Sequence, residues 1–174
     1  MSNIFLRQSK LDDLPSIVQI INDAKESLQE RGIDQWQQGY PNEEVLKQDI
    51  QENISYALIL DSEVVGVATL QQGYDKNFQE MLSGSWSDES EVTYSTIHRL
   101  SIAADHRGEH LCTVMIQQLL TISYYLGYKD VRTDTHPDNL ALQHIVTENG
   151  FNEKGTIKMD EDQDVRKAYQ IILK

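Results

Sequence analysis

Two histidines and one short loop carry most of the chemistry that this sequence can be read for. His98 lies in "EVTYSTIHRLSIA", residues 91–103, which reads as a long strand. A neutral imidazole there suits proton removal near pH 7; a hydrogen-bonded core histidine fits the same pattern. Strand periodicity puts His98, Leu100 and Ile102 on one face. His136 ends the next predicted strand, "KDVRTDTH", beside Asp134 and Thr135. It could touch an amine or order the turn before Pro137. Between these strands, "DHRGEHLCTVM" (residues 105–115) reads as a strand end, a polar loop and a helix start. Such a turn aims unpaired amide N–H groups and the positive end of a helix dipole at one point, which suits a pyrophosphate. Arg107 adds a cation and Gly108 adds backbone freedom. A capped turn with no ligand has the same pattern. The chain's single cysteine, Cys112, reads as a buried helix residue rather than a nucleophile. In "GIDQWQQGYP", Trp36 and Tyr40 could wall a pocket and Asp34 could hold a cation, or the segment could cap the core edge.

These residues need elements to hold them. "NIFLRQ" reads as a first strand. Leu14, Ile17, Val18, Ile21 and Leu28 recur at helical spacing, with Asp12 or Asp13 to cap, Pro15 in the first turn and Gly32 at the end. "NEEVLKQDIQEN" reads as a second, shorter helix. "SYALILD" and "EVVGVATLQQ" predict an antiparallel hairpin turning near Asp61-Ser62. Residues 73–90 are acidic, contain Gly and Ser, and predict an exposed, mobile connection. Leu111, Met115, Leu119, Ile122 and Leu126 form the apolar face of a helix ending near Gly127. "PDNLALQHIVTENGF" predicts a helix capped by Asp138 or Asn139 and stopped by Gly150. "GTIKM" and "VRKAYQIIL" close the chain as strands around "DEDQD". This order predicts a mixed α/β layer fold with a parallel step where a helix joins two strands.

The 174 residues suit one domain spanning 1–174. Hydrophobic residues at 39% and charged residues at 25% fit a globular chain. The net charge of −13 disfavours nucleic acid, which needs clustered cations, and would steer a cationic acceptor inward. No apolar run is long enough for a membrane span. The N-terminus does not read as a signal peptide, and one cysteine permits no internal disulfide; a cytoplasmic location is expected.

The ordered motifs give a resemblance. "FLRQSKLDDLPSIVQII", "HRLSIAADHRGEHLCTVMIQQLL", "DTHPDNLALQHIVTENGF" and the two final strands are similar, in order and spacing, to the GNAT family of acyl-CoA-dependent N-acyltransferases, over essentially the whole chain. The resemblance, which points to a bacterial subgroup, implies a twisted, mostly antiparallel sheet with one splayed parallel strand pair, flanked by about four helices. It implies acetyl-CoA as co-substrate, no metal, and a small-molecule or peptide amine as acceptor, with direct transfer in a ternary complex; a homodimer is compatible with it. The amides of Arg107, Gly108, Glu109, His110, Leu111 and Cys112 would bind pyrophosphate. Leu100, Ser101 and Ile102 would pair with the pantetheine arm, and Asn139 would contact it. The sequence departs from the family's pattern at three places. His110 and Cys112 stand where the loop carries glycine and a small residue, and Val146 stands where many members have a tyrosine acid. A binding protein without turnover is the alternative those departures raise.

Overall fold

The computed structural model describes residues 2–90 and 93–174. Its eight strands form one sheet in the order β1-β2-β3-β5-β6-β8-β7-β4. The strands are β1 (Ile4–Gln8), β2 (Ser55–Leu60), β3 (Glu63–Gln72), β4 (Ser83–Gly84), β5 (Ser95–Ile102), β6 (Asp130–Thr135), β7 (Asn152–Lys158) and β8 (Val165–Ile172). The helices are α1 (Leu14–Glu30), α2 (Glu43–Gln51), α3 (Leu111–Tyr125) and α4 (Leu140–Glu148). Among the described residues, only β5 and β6 pair in parallel, joined by α3. The mixed sheet with one parallel pair and four helices is therefore the predicted architecture. Glu91 and Val92, placed in the strand by sequence, lie outside the described residues.

The apolar stripe of α3 explains its position. Met115, Ile116 and Leu119 pack with Leu58, Ala68, Leu70, Ile97 and Val131 from the strands and with Val146 of α4. Ile17, Ile20 and Ile21 of α1 pack with Leu46 and Ile50 of α2 and with Val67. The sheet is thus the middle of three layers. The β2–β3 hairpin turns at Asp61 and Ser62, both at positive φ, as a two-residue turn requires.

Residues 73–90 differ from the expectation of an exposed connection. Phe78 is fully buried, and Trp86 stacks on it at 5.9 Å. The buried Arg132 lies between the rings of Trp86 and Tyr94, 4.2 and 3.8 Å from their centroids, and donates to the Phe78 carbonyl at 3.2 Å. β4 then pairs with β7. That seam admits no side chain: a Cβ on Gly84 would lie 1.9 Å from the Lys154 carbonyl oxygen. Aromatic anchoring overrides the polar composition of the segment.

Candidate active site

Parallel pairing of β5 with β6 runs from Ser95↔Val131 only to Ile97↔Thr133. Beyond that point the strands separate, and Leu100, Ser101 and Ile102 border a cavity of about 690 Å³. A bulge in β5 opposite Val67–Thr69 accompanies the separation, with Arg99 at φ 52°. It also shifts the alternation of side chains. Ile97, Leu100 and Ile102 pack into the α3 core, whereas Arg99 turns to α2. His98 therefore does not share a face with Leu100 and Ile102, contrary to simple periodicity, because one extra residue separates them.

Arg99 is held by a network. Its guanidinium donates to both carboxylate oxygens of Asp49, at 2.8 and 2.9 Å, and to the Tyr40 hydroxyl at 2.5 Å. The positive φ of Arg99 is an unfavourable conformation for a residue with a Cβ, and this bidentate ion pair helps to retain it. Tyr40 lines the cavity, and burial pushes its hydroxyl up to about 12. Trp36 lines the cavity as well, while Asp34 is exposed and outside the lining. Sequence periodicity gave no sign of Asp49 or of its link to Arg99.

His98 sits between two carboxylates. Its Nε2 is 2.6 Å from Asp75 Oδ2, and its Nδ1 is 3.8 Å from Asp134 Oδ1. The edge of the ring rests on Phe78 at 5.7 Å. Burial pushes Asp75 up, but its hydrogen bonds with His98 and with the Asn77 amide, and the charge of Arg99, outweigh it; the carboxyl titrates below its usual range. Asp134 behaves oppositely. Burial pushes it up to about 6, against the charges of His98 and Arg166. Glu161 and Asp162, from the turn between β7 and β8, complete an acidic end of the cavity.

The Asp134 shift has a stability consequence. Its proton is held more tightly in the folded chain than at an unfolded aspartate value of ~3.9, so its contribution is full below that pH and is lost as pH rises through about 6. Asp134→Asn is expected to stabilise the fold by about 3 kcal/mol at pH 8 and by little at pH 4. Urea unfolding at the two pH values measures the difference.

At the other end, α3 begins without a side-chain cap. Its first helical hydrogen bond runs from the Val114 amide to the His110 carbonyl at 3.3 Å, so the amides of Leu111, Cys112 and Thr113 lack helical partners. Gly108 and His110 both have positive φ, 84° and 59°, left-handed positions of the kind from which anion-binding nests are built. Nothing lies within 4 Å of a Cβ placed on Gly108. Arg107 lines the opening and forms no ion pair among the described residues.

The sequence pattern of the Acetyltransferase (GNAT) family matches residues 16–151. The chain belongs to that family. A GNAT-family acetyltransferase of Streptococcus agalactiae is 28% identical, with a TM-score of 0.88 over 98% of this chain and 96% of the other. A GNAT-family acetyltransferase of Listeria monocytogenes, 18% identical, superposes with a TM-score of 0.75 over 98% and 95% of the two chains. A ribosomal-protein-alanine N-acetyltransferase of Brucella melitensis shares the fold at 18% identity, with a TM-score of 0.71 over 97% and 99%. No curated protein matches at the level of sequence.

Within this GNAT fold, one cavity brings together His98, Leu100, Ser101, Ile102, Arg107, Gly108, His110, Leu111, Cys112 and Asn139. The Asn139 side chain accepts from the Leu142 amide, so it caps α4 while facing the cavity. Glu109, an expected site residue, lies outside the lining, and its carboxylate is 3.1 Å from His106 Nδ1. His136 is also outside the lining; its Nδ1 accepts from the Asp138 amide at 3.1 Å and orders the turn before α4. Burial pushes the Cys112 thiol up to about 11, so it stays protonated at neutral pH. Val146 is buried in the core.

His110 occupies a left-handed conformation at the place where the family's loop has its first glycine. The substitution keeps the backbone shape at some cost in strain. His110→Gly is expected to raise stability by up to about 1 kcal/mol, the relief of the Cβ clash less the added chain entropy. Thermal unfolding tests it, and unchanged or lower stability counts against strain at His110.

Proposed function

We propose that this chain is an N-acetyltransferase that moves an acetyl group from acetyl-CoA directly to an amine, with residues 1–174 acting as one domain. One observation carries the reading: the separated β5–β6 groove and the amide nest of α3 open into the same cavity as His98. Acetyl-CoA supplies an activated acetyl thioester when bound. The nest of residues 107–113 and the Arg107 cation suit its pyrophosphate. The main chain of Leu100, Ser101 and Ile102, free of β6, suits pairing by an extended arm. Asn139 borders the same groove. His98 stands at the far end, where it takes a proton from the amine, directly or through one water. Trp36 and Tyr40 wall the acceptor side. The protonated Cys112 belongs to the cradle, which favours direct transfer over an acyl-enzyme.

Val146 favours a second reading. Its buried isopropyl group offers no proton to a leaving thiolate, as a weakly active acyl-CoA-binding protein would allow. A mass-resolved screen of amines with acetyl-CoA separates the two. A product heavier by one acetyl group supports transfer. Coenzyme A binding with no product across the panel supports the binding protein.

A further inference from the structure

The register of β3 with β5 gathers a mixed set of ligating groups at the entrance to the cradle loop. Gly66 pairs with Ile102, and the Ala103 amide donates to the Val65 carbonyl at 2.8 Å. Carried two residues further each way, that antiparallel register sets Glu63 opposite Asp105. The tight turn Ala104–His106, closed by the His106 amide on the Ala103 carbonyl at 3.0 Å, adds an imidazole to the pair. One ligand atom each from Glu63, Asp105 and His106 lies within 4.8 Å of the other two. His106 Nε2 is 3.9 Å from Glu63 Oε2. Its Nδ1 is 3.1 Å from the Glu109 carboxylate, which accepts from it. Among the described residues, no lysine or arginine pairs with the carboxylates of Glu63, Asp105 or Glu109.

We propose that Glu63, Asp105 and His106 bind a divalent transition metal of the zinc class, and that the bound ion braces the loop entering the α3 cradle. One imidazole nitrogen with two carboxylates suits zinc; a set of oxygens alone would suit calcium or magnesium. Zinc held at ~2.0–2.2 Å by each ligand needs donor atoms about 3.4 Å apart. The Glu63 side chain is 63% exposed, so a small rotation closes its 3.9 Å contact to that spacing. The His106 ring is more confined, at 19% exposure, and Glu109 fixes its orientation through Nδ1. A carboxylate on the far ring nitrogen is the contact that commonly orients a metal-bound imidazole. The ion takes the place of any proton on Nε2, which passes to solvent. Water fills the remaining positions. The consequence is mechanical. Glu63 belongs to the sheet, whereas His106 leads directly into Arg107 and Gly108, and all three of these loop residues border the cavity. An ion joining Glu63 to His106 ties the loop to β3 just before the cradle begins. The site is separate from His98 and does not depend on the acetyl-transfer reading.

Zinc chloride titrated into the full chain in chelator-free buffer tests the site without turnover. Calorimetry is expected to show saturable binding, and calcium chloride at the same concentrations should give none. In nitrogen-15 NMR of the histidine-labelled protein, the largest zinc-induced shift should fall on Nε2 of His106, whose signals are identified by their loss in His106→Gln. Glu63→Gln should weaken zinc binding at least tenfold, and its exposed position leaves the fold intact, which thermal unfolding checks. Hydrogen exchange followed by mass spectrometry reads the brace: zinc should slow the amides of residues 104–110 and leave those of α4 unchanged. No saturable binding to the wild type, an equal response to calcium, or a largest shift on another histidine overturns the site, and none of these readings needs a variant that folds. Undiminished affinity in folded Glu63→Gln overturns it as well. Zinc binding with unchanged exchange in residues 104–110 overturns the brace.

Discussion

His98→Gln is expected to lower turnover by ~10²-fold or more while leaving coenzyme A affinity within about twofold, since general-base assistance is typically worth that much. Glutamine keeps a polar side chain of similar reach. Its amide can still bond Asp75, so the anchoring of the 75–90 segment should survive. What it lacks is a nitrogen that accepts a proton reversibly. The loss should therefore appear in kcat rather than in the binding of either substrate. Because His98 also packs against Phe78, the variant's stability must be measured first. A folded variant with full activity removes His98 from the reaction and passes the proton to bulk water.

Gly108→Pro should weaken coenzyme A binding by ~10²-fold. Proline fixes φ near −65°, whereas Gly108 sits at φ 84°. The change rotates the nest and also deletes one amide donor; each charge-assisted hydrogen bond lost costs ~1.5–3 kcal/mol. Arg107 is already extended, at φ −68° and ψ 145°, so the residue before the new proline suffers no clash. Gly108→Ala provides the contrast: it retains the donor and meets no neighbour, and its loss should be smaller. Calorimetry with coenzyme A measures both. Equal, undiminished affinity in the proline variant would mean that the loop is only a turn.

Where chemistry followed local pattern, the sequence was readable. The stripe of α3, the two-residue hairpin turn and the strand–loop–helix around Gly108 each depend on residues within one or two turns of one another, and each was expected. The surroundings of His98 do not. Asp75 is 23 positions away and reaches the ring only because Phe78 and Trp86 anchor a segment that reads as a polar loop. Asp49 is 50 positions from Arg99. β4 has two residues, too few to display any periodicity. The bulge in β5 arises from pairing with β3 and separation from β6, and no feature of "STIHRLSI" alone marks it. Of the expected site residues, those defined by backbone position fell together in one cavity except Glu109, which lies outside its lining. Those chosen for their side chains divided: Trp36, Tyr40 and His98 reach it, and Asp34 and His136 do not.

The placement of β8 between β6 and β7 sets an order in which the halves of the cavity can be assembled during synthesis. Chains are synthesised from the N-terminus, and a domain folds as a unit once its elements are present. The groove beside Leu100 and the nest of α3 need nothing later than α4. The clamp on residues 75–90 needs more: β4 pairs only with β7, the Ser87 amide donates to Gln170, and β7 reaches the rest of the sheet only through β8. A chain lacking the residues from 165 onward would therefore carry the elements of the Leu100 groove and of the α3 N-terminus while Asp75 still lacked the support that holds it against His98. The groove beside Leu100 would thus be complete before the end of the cavity that holds His98.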